Sequence, residues 1–179
     1  PRTTYTAQEV LALQGLYPDA VFDYTMIVLG QELTAETTEL NLSVLEPERV
    51  ADVAGRIGLF PNITKVELMD SQGQSQLSMD DVKLLQESAP NALFHYVFQL
   101  FGKTVSTADE RIEFIKEDIG NEGVEELRNA LDILQGCQYF LLDGCGIDNE
   151  TMAAIREDYR DRTKIVWRVW FGVTDRYTF

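Results

Sequence analysis

The chain has 179 residues, 45% of them hydrophobic and 25% charged, with a formal net charge of −15. That length favours one domain, and that much apolar material builds a core, which excludes a disordered chain. The acidity argues against nucleic acid and against anionic membrane surfaces as partners.

No run approaches the roughly 20 apolar residues of a spanning helix, so no direct membrane insertion is expected. The chain starts at Pro1 with no leader-like stretch, and without a methionine a removed leader stays open, so the compartment is not settled.

A first helix is predicted over 7–17, with Val10, Leu13 and Leu16 inward. "TAQE" opens it as a capping box, in which Thr6 caps and Glu9 reaches back. The strand FDYTMIVL follows, and GQELTAET links it to the strand TELNLS. A second helix spans 47–58, with Pro47 suited to its first position. The strand TKVELMD leads to a third helix over 79–88, capped by Ser78. The strand LFHYVFQLF, the linker GKTVSTADE and the strand RIEFIK come next. A fourth helix over 122–135 carries Val124, Leu127, Leu131 and Leu134 on one face. The strand QYFLLD precedes a fifth helix over 149–159, capped by Asp148 or Asn149, and KIVWRVWF is the last strand.

The short strands alternate. Leu40/Leu42, Val66/Leu68, Ile112/Phe114 and Phe140/Leu142 point one way; Asn41, Glu67, Glu113 and Leu141 point the other. Helices between successive strands imply parallel pairing, with the helices on one face. The two linkers are too short for a helix, and both hairpins and coil crossovers fit them.

The pattern repeats. An offset of 72 lays Val10 on Val82, Pro18 on Pro90, Phe22 on Phe94, Tyr24 on Tyr96 and Gly30 on Gly102. An offset of 74 lays Val66 on Phe140, and one of 70 lays Gly102 on Gly172 in a third, partial copy. Periodicity of this kind marks stacked architectures. The expected organisation is a single repeat domain, 1–179, in approximate units 6–77, 78–147 and a partial 148–179.

In CQYFLLDGCGI, the spacing of Cys137, Phe140, Leu142, Cys145 and Ile147 resembles the leucine-rich-repeat signature L-x-x-L-x-L-x-x-[N/C]-x-L. ITKVELMDS is similar through Ile63, Val66, Leu68 and Ser71, and TTELNLS through Thr37, Leu40 and Leu42. The helix-bearing spacing resembles the ribonuclease-inhibitor type, and the larger unit resembles leucine-rich surface proteins of gut Gram-positive bacteria. The resemblance implies an α/β, leucine-rich-repeat-like solenoid, with a largely parallel sheet on one face and helices on the other. It also implies an extracellular or cell-surface binding role and transfers no catalytic residue, so a non-enzymatic protein is expected.

The chemistry-bearing residues agree with a modest expectation. His95 is the only histidine, which removes most histidine-based metal sites, and it is read as structural. DGCGIDNE lacks a third glycine and a G-K-[ST], so it is read as a strand-to-helix turn rather than a phosphate loop. Asp143, Asp148 and Glu150 miss the spacing of a calcium loop. No cofactor and no metal are expected. Cys137 and Cys145 would be about 25 Å apart along a strand, against the roughly 7 Å a disulfide tolerates, so two buried free thiols are expected. Unpaired thiols fit a reducing compartment, although an exported protein is not thereby excluded.

The expected partner-binding face has one row of Asn41, Glu67, Glu113 and Leu141, and a second of Glu39, Lys65, Arg111 and Tyr139. A merely solvated face is the alternative. Trp167 and Trp170 lie three apart, on opposite sides of a strand, so one is core and Trp170 is a candidate contact for a partner or for self-association through an end strand. The tail VTDRYTF either caps the array or leads into a further copy. The function expected is protein or peptide binding. The alternatives are a structural spacer repeat without a specific ligand, or a carboxylate-dependent hydrolase.

Overall fold

The computed structural model describes residues 7–17, 24–170 and 175–177. The protein is a mixed α/β chain with parallel sheets, and it divides into two compact units, Pro1–His95 and Tyr96–Phe179. No helix among the described residues is long and apolar enough to cross a membrane.

In the first unit, helix α1 (Ala7–Leu16) precedes a hairpin of β1 (Met26–Val28) and β2 (Gln31–Leu33). Strand β3 (Glu39–Asn41) leads through a 3-10 turn at Pro47–Arg49 into α2 (Val50–Ile57). Then come β4 (Lys65–Glu67), α3 (Met79–Ser88) and β5 (Leu93–His95). The sheet β3–β4–β5 is parallel throughout, with Leu40, Val66 and Phe94 in register. The ladder continues past the strand ends, where Leu42 N–H donates to Glu67 O at 2.8 Å and Leu68 N–H to His95 O at 3.1 Å. Leu42 and Leu68 are therefore also neighbours, and all five side chains are buried with Val53 and Ile57 of α2 and Val82 and Leu85 of α3.

The second unit repeats that order. A hairpin of β6 (Val97–Leu100) and β7 (Lys103–Ser106) precedes β8 (Arg111–Ile115), a 3-10 turn at Asn121–Gly123, and α4 (Val124–Ile133). Strand β9 (Tyr139–Asp143), α5 (Asn149–Tyr159) and β10 (Lys164–Trp170) follow, and β11 (Asp175–Tyr177) pairs antiparallel with the end of β10. Here two files are in register: Ile112 with Phe140 and Ile165, and Phe114 with Leu142 and Trp167. All six are buried, with Leu127 and Leu131 of α4 and Met152 and Ile155 of α5. The Phe114 and Phe140 rings stack at 5.8 Å.

Local chemistry explains the element ends. Ser78 caps α3 in a full capping box with Asp81, and Asp148 caps α5 by accepting from Thr151 N–H at 2.8 Å. Asn149 is thus the first helical residue, not the cap. Pro47 opens the 3-10 turn before α2 as its missing N–H allows. The Thr6 cap, Pro18, Phe22 and Gly172 lie outside the described residues.

Three expectations change. Leu16, the last residue of α1, is 71% exposed rather than inward, while Val10 near the start of the helix is buried. LFHYVFQLF is not one strand. At Tyr96 the backbone leaves the parallel ladder and pairs with Thr107, whose N–H donates to Tyr96 O at 2.9 Å and whose Oγ1 accepts from Tyr96 N–H at 3.0 Å. The linkers, left open as hairpins or crossovers, contribute the returning strands of hairpins: β2 and β7 are built from GQEL and GKTVS. Their two-residue turns have left-handed backbone at both positions, Leu29 (φ 48°) with Gly30 (φ 81°), and Phe101 (φ 47°) with Gly102 (φ 78°). That is the signature of the hairpin turn whose twist matches paired strands.

Cys137 and Cys145 are free and buried. Burial pushes the Cys137 thiol from 9.0 up to about 11 and raises Cys145 as well. The stabilisation held by neutral Cys137 is whole below pH 9 and is lost as pH rises through about 11. In the native protein at pH 8 both thiols should therefore resist an aromatic disulfide reagent and react only after denaturant is added; fast stoichiometric labelling of native protein would contradict this. Phe114→Ala should destabilise the second unit by about 3–5 kcal/mol, read in urea by the fluorescence of Trp167 and Trp170. A loss below about 1 kcal/mol would mean that the file can close over the gap.

Candidate functional site

Alternation along β3, β4 and β5 sends every second side chain away from the core. In the first unit this leaves two registered rows on the open sheet face: Glu39, Lys65 and Leu93, and Asn41, Glu67 and His95. Leu93 is 64% exposed, although it is a large apolar residue. A groove of about 320 Å³ runs over this face, lined by Gln31, Glu39, Leu40, Asn41, Lys65 and Glu67.

The side chains on the face hold one another. His95 Nδ1 lies 2.8 and 2.9 Å from the two oxygens of Glu67. A carboxylate only accepts, so the imidazole donates from Nδ1. Glu67 Oε1 also accepts the Met69 N–H at 2.9 Å, which ties the pair to the backbone at the end of β4. Lys65 Nζ stands 3.8 Å from Glu39, with both ends well exposed. Such a pair contributes little to stability. Asn41 Oδ1 accepts the Ser43 N–H at 2.9 Å, turning the chain after β3.

In the second unit the corresponding rows are Arg111, Tyr139 and Lys164, and Glu113, Leu141 and Val166. The Arg111 guanidinium lies 4.1 Å from the Tyr139 ring centre and donates from Nε to Glu113 Oε1 at 2.7 Å. Leu141, expected on an open face, is buried, as is Val166 beside it. One step along, Asp143 is buried and bonded to Arg168 at 2.6 Å. The row of Arg111, Tyr139 and Lys164 therefore stays open, whereas the row that starts at Glu113 is closed from Leu141 onward. Each four-residue row expected from sequence is split between two sheets, with Asn41 beside Glu67 and Glu39 beside Lys65 in one, and Glu113 beside Leu141 and Arg111 beside Tyr139 in the other, because β4 pairs onward with β5 and not with β8. Trp167 is buried, and its indole N–H donates to Asn149 Oδ1 at 3.0 Å. Trp170 pairs through its backbone with Asp175, and its side chain lies outside the described residues.

Three members of the site were not anticipated, and one is Leu93, which reaches the face through its register with Lys65. His95, expected to be structural, stands on the open face against Glu67. It shares parity with Lys65 and Glu67 only once the β4–β5 register is known. Gln31 sat in a linker with no pattern to mark it. DGCGIDNE is a strand-to-helix turn: Gly144 (φ 67°) and Gly146 (φ 78°) use glycine's left-handed freedom. Asp143 is held by Arg168, while Asp148 caps α5. The bonds from Thr151 and Asn121 hold the Asp148 carboxyl below its usual range. Among the described residues, no group of three or more His, Cys, Asp or Glu side chains is placed to hold a metal ion.

No protein-family model, curated protein sequence or solved structure matches this chain.

Glu67 serves two partners and His95 one. Glu67→Ala should lower stability by about 1–2 kcal/mol and His95→Ala by less than about 1 kcal/mol, compared by thermal melts of the two variants. Equal losses would mean that the Met69 bond contributes nothing.

Proposed function

We propose that this chain is a non-enzymatic module that binds a protein or an extended peptide across the open sheet face, with the first unit's face as the principal contact. The observation that carries this is an exposed Leu93 in register with Lys65 and Glu39, on the sheet face that also holds the groove. An apolar anchor beside polar groups is the usual anatomy of a recognition surface. The contact residues assigned are Glu39, Asn41, Lys65 and Glu67, joined by His95 and Leu93; Arg111, Glu113 and Tyr139 are assigned to a separate face, that of the second unit.

The finer fold assignment, a leucine-rich-repeat-like solenoid of one repeat domain, belongs to this reading. Its support is the recurrence of strand, helix and strand in each unit, with one file of apolar side chains per strand position. Cys145 adds to it: it occupies the signature's Asn/Cys position, and its thiol donates to Phe114 O of the preceding strand at 3.4 Å. An extracellular or cell-surface location goes with the same reading. A spacer repeat would need no exposed apolar anchor on the face. A carboxylate-dependent hydrolase is disfavoured because the two carboxylates lining the groove are each engaged, Glu67 by His95 and Glu39 by Lys65.

The test is selection from a displayed random-peptide library on the purified chain, followed by affinity measurement with labelled peptides. Glu67→Lys/Leu93→Glu should weaken the selected peptides at least about tenfold. Arg56→Ala, on α2 away from the face, should leave them unchanged. Peptides that bind both variants as well as the parent chain would move the site off this face. Failure to enrich any peptide would favour the spacer.

A further inference from the structure

β3 and β8 are each the terminal strand of a parallel sheet. A terminal strand normally shows a row of backbone N–H and C=O groups that will pair with any extended chain. In β3 the outward peptide groups of Asn41 are already taken. Gln31, on the returning strand of the first hairpin, donates from Nε2 to Asn41 O. Its Oε1 accepts the Asn41 N–H at 3.0 Å. A primary amide carries the same donor and acceptor as a peptide group. One side chain thus replaces one residue of a neighbouring strand.

The same contact recurs 72 residues later, where Lys103 Nζ donates to Glu113 O at 2.7 Å. Gln31 and Lys103 correspond in the repeat, and so do Asn41 and Glu113. Each of the two follows the glycine of its hairpin turn, Gly30 or Gly102, and these turns share the same left-handed backbone. The side-chain chemistry differs, an amide in one unit and an ammonium in the other. What recurs is the position on the hairpin and the peptide it reaches, so the hairpin geometry delivers the contact.

We propose that Gln31 and Lys103 are edge guards, Gln31 covering both outward peptide groups of Asn41 and Lys103 the outward carbonyl of Glu113, and that they keep these edges from pairing with another chain. The partner held off is a second copy of this chain, joining β3 to β3 about a two-fold axis. Asn41 turns both its N–H and its C=O outward, and in an antiparallel hydrogen-bonded pair two facing residues exchange both of those bonds. An edge residue of this kind is self-complementary, as a two-fold interface requires.

The test is sedimentation velocity over a range of concentrations at about 0.15 M salt, where the charge of the chain is screened beyond roughly 8 Å. Gln31→Met keeps the length of the side chain and removes both hydrogen bonds. The parent chain should stay monomeric, and Gln31→Met should dimerise at concentrations at least about tenfold lower than any at which the parent associates. Gln31→Met/Asn41→Pro should return to monomer, because proline has no N–H to exchange and is tolerated at a sheet edge. A folded Gln31→Met that sediments like the parent overturns the proposal, as does a double variant that still dimerises. If Gln31→Met does not fold, hydrogen exchange on the parent chain decides: a slowed Asn41 amide supports the guard, and one exchanging at the rate of an open chain overturns it.

Discussion

The structure depends on one constraint: apolar side chains on neighbouring parallel strands must stand in file and be covered from the same side. Leu40, Val66 and Phe94 form such a file in the first unit, and Phe114, Leu142 and Trp167 one in the second. A strand of three residues cannot bury enough surface alone, and its pairing contributes little by itself. Each becomes stable because the strand before and the strand after continue the file, and because α2 and α3, or α4 and α5, close it off. A one-residue slip in any strand would turn its file outward, so the register is strongly specified. The same constraint fixes which residues remain on the open face.

The hairpins interrupt that repetition. In a simple strand-and-helix array each parallel strand is followed by the next, with no free edge between them. Here two antiparallel strands intervene before β3 and again before β8, and the parallel sheets begin at those strands. Beginning a sheet leaves an edge, and both units meet the need from the hairpin itself, through Gln31 and Lys103. Tyr96 marks the change of direction in the chain. It gives its backbone to Thr107 instead of to a parallel neighbour, which is why an unbroken apolar run in the sequence becomes two short strands.

The two open faces differ because their second rows differ. In the first unit that row is Asn41, Glu67 and His95, polar throughout and bonded to itself and to the turn after β4. In the second it is Glu113, Leu141 and Val166, and the two apolar members are buried. A polar face that is internally satisfied stays wet and ordered without a partner. The Glu67–His95 pair illustrates this: each side chain is matched by the other, and Glu67 is tied to the backbone through Met69.

Much of the architecture could be read directly. The helices, the cap at Ser78, the choice of Asp148 or Asn149 for the cap of α5 and the inward parity of the short strands all follow from local spacing. These signals act within a turn or a strand, so they survive in the sequence. Two free thiols were also readable, since a strand cannot fold back on itself within eight residues. Contacts between elements distant in sequence could not be read. The β4–β5 register brought His95 to Glu67. The hairpin turns carried Gln31 to Asn41, and the packing of the second sheet buried Leu141 and Asp143. Local propensity decided which elements exist, whereas register, turn geometry and coverage decided which side chains meet, because those depend on pairing partners that no local pattern names.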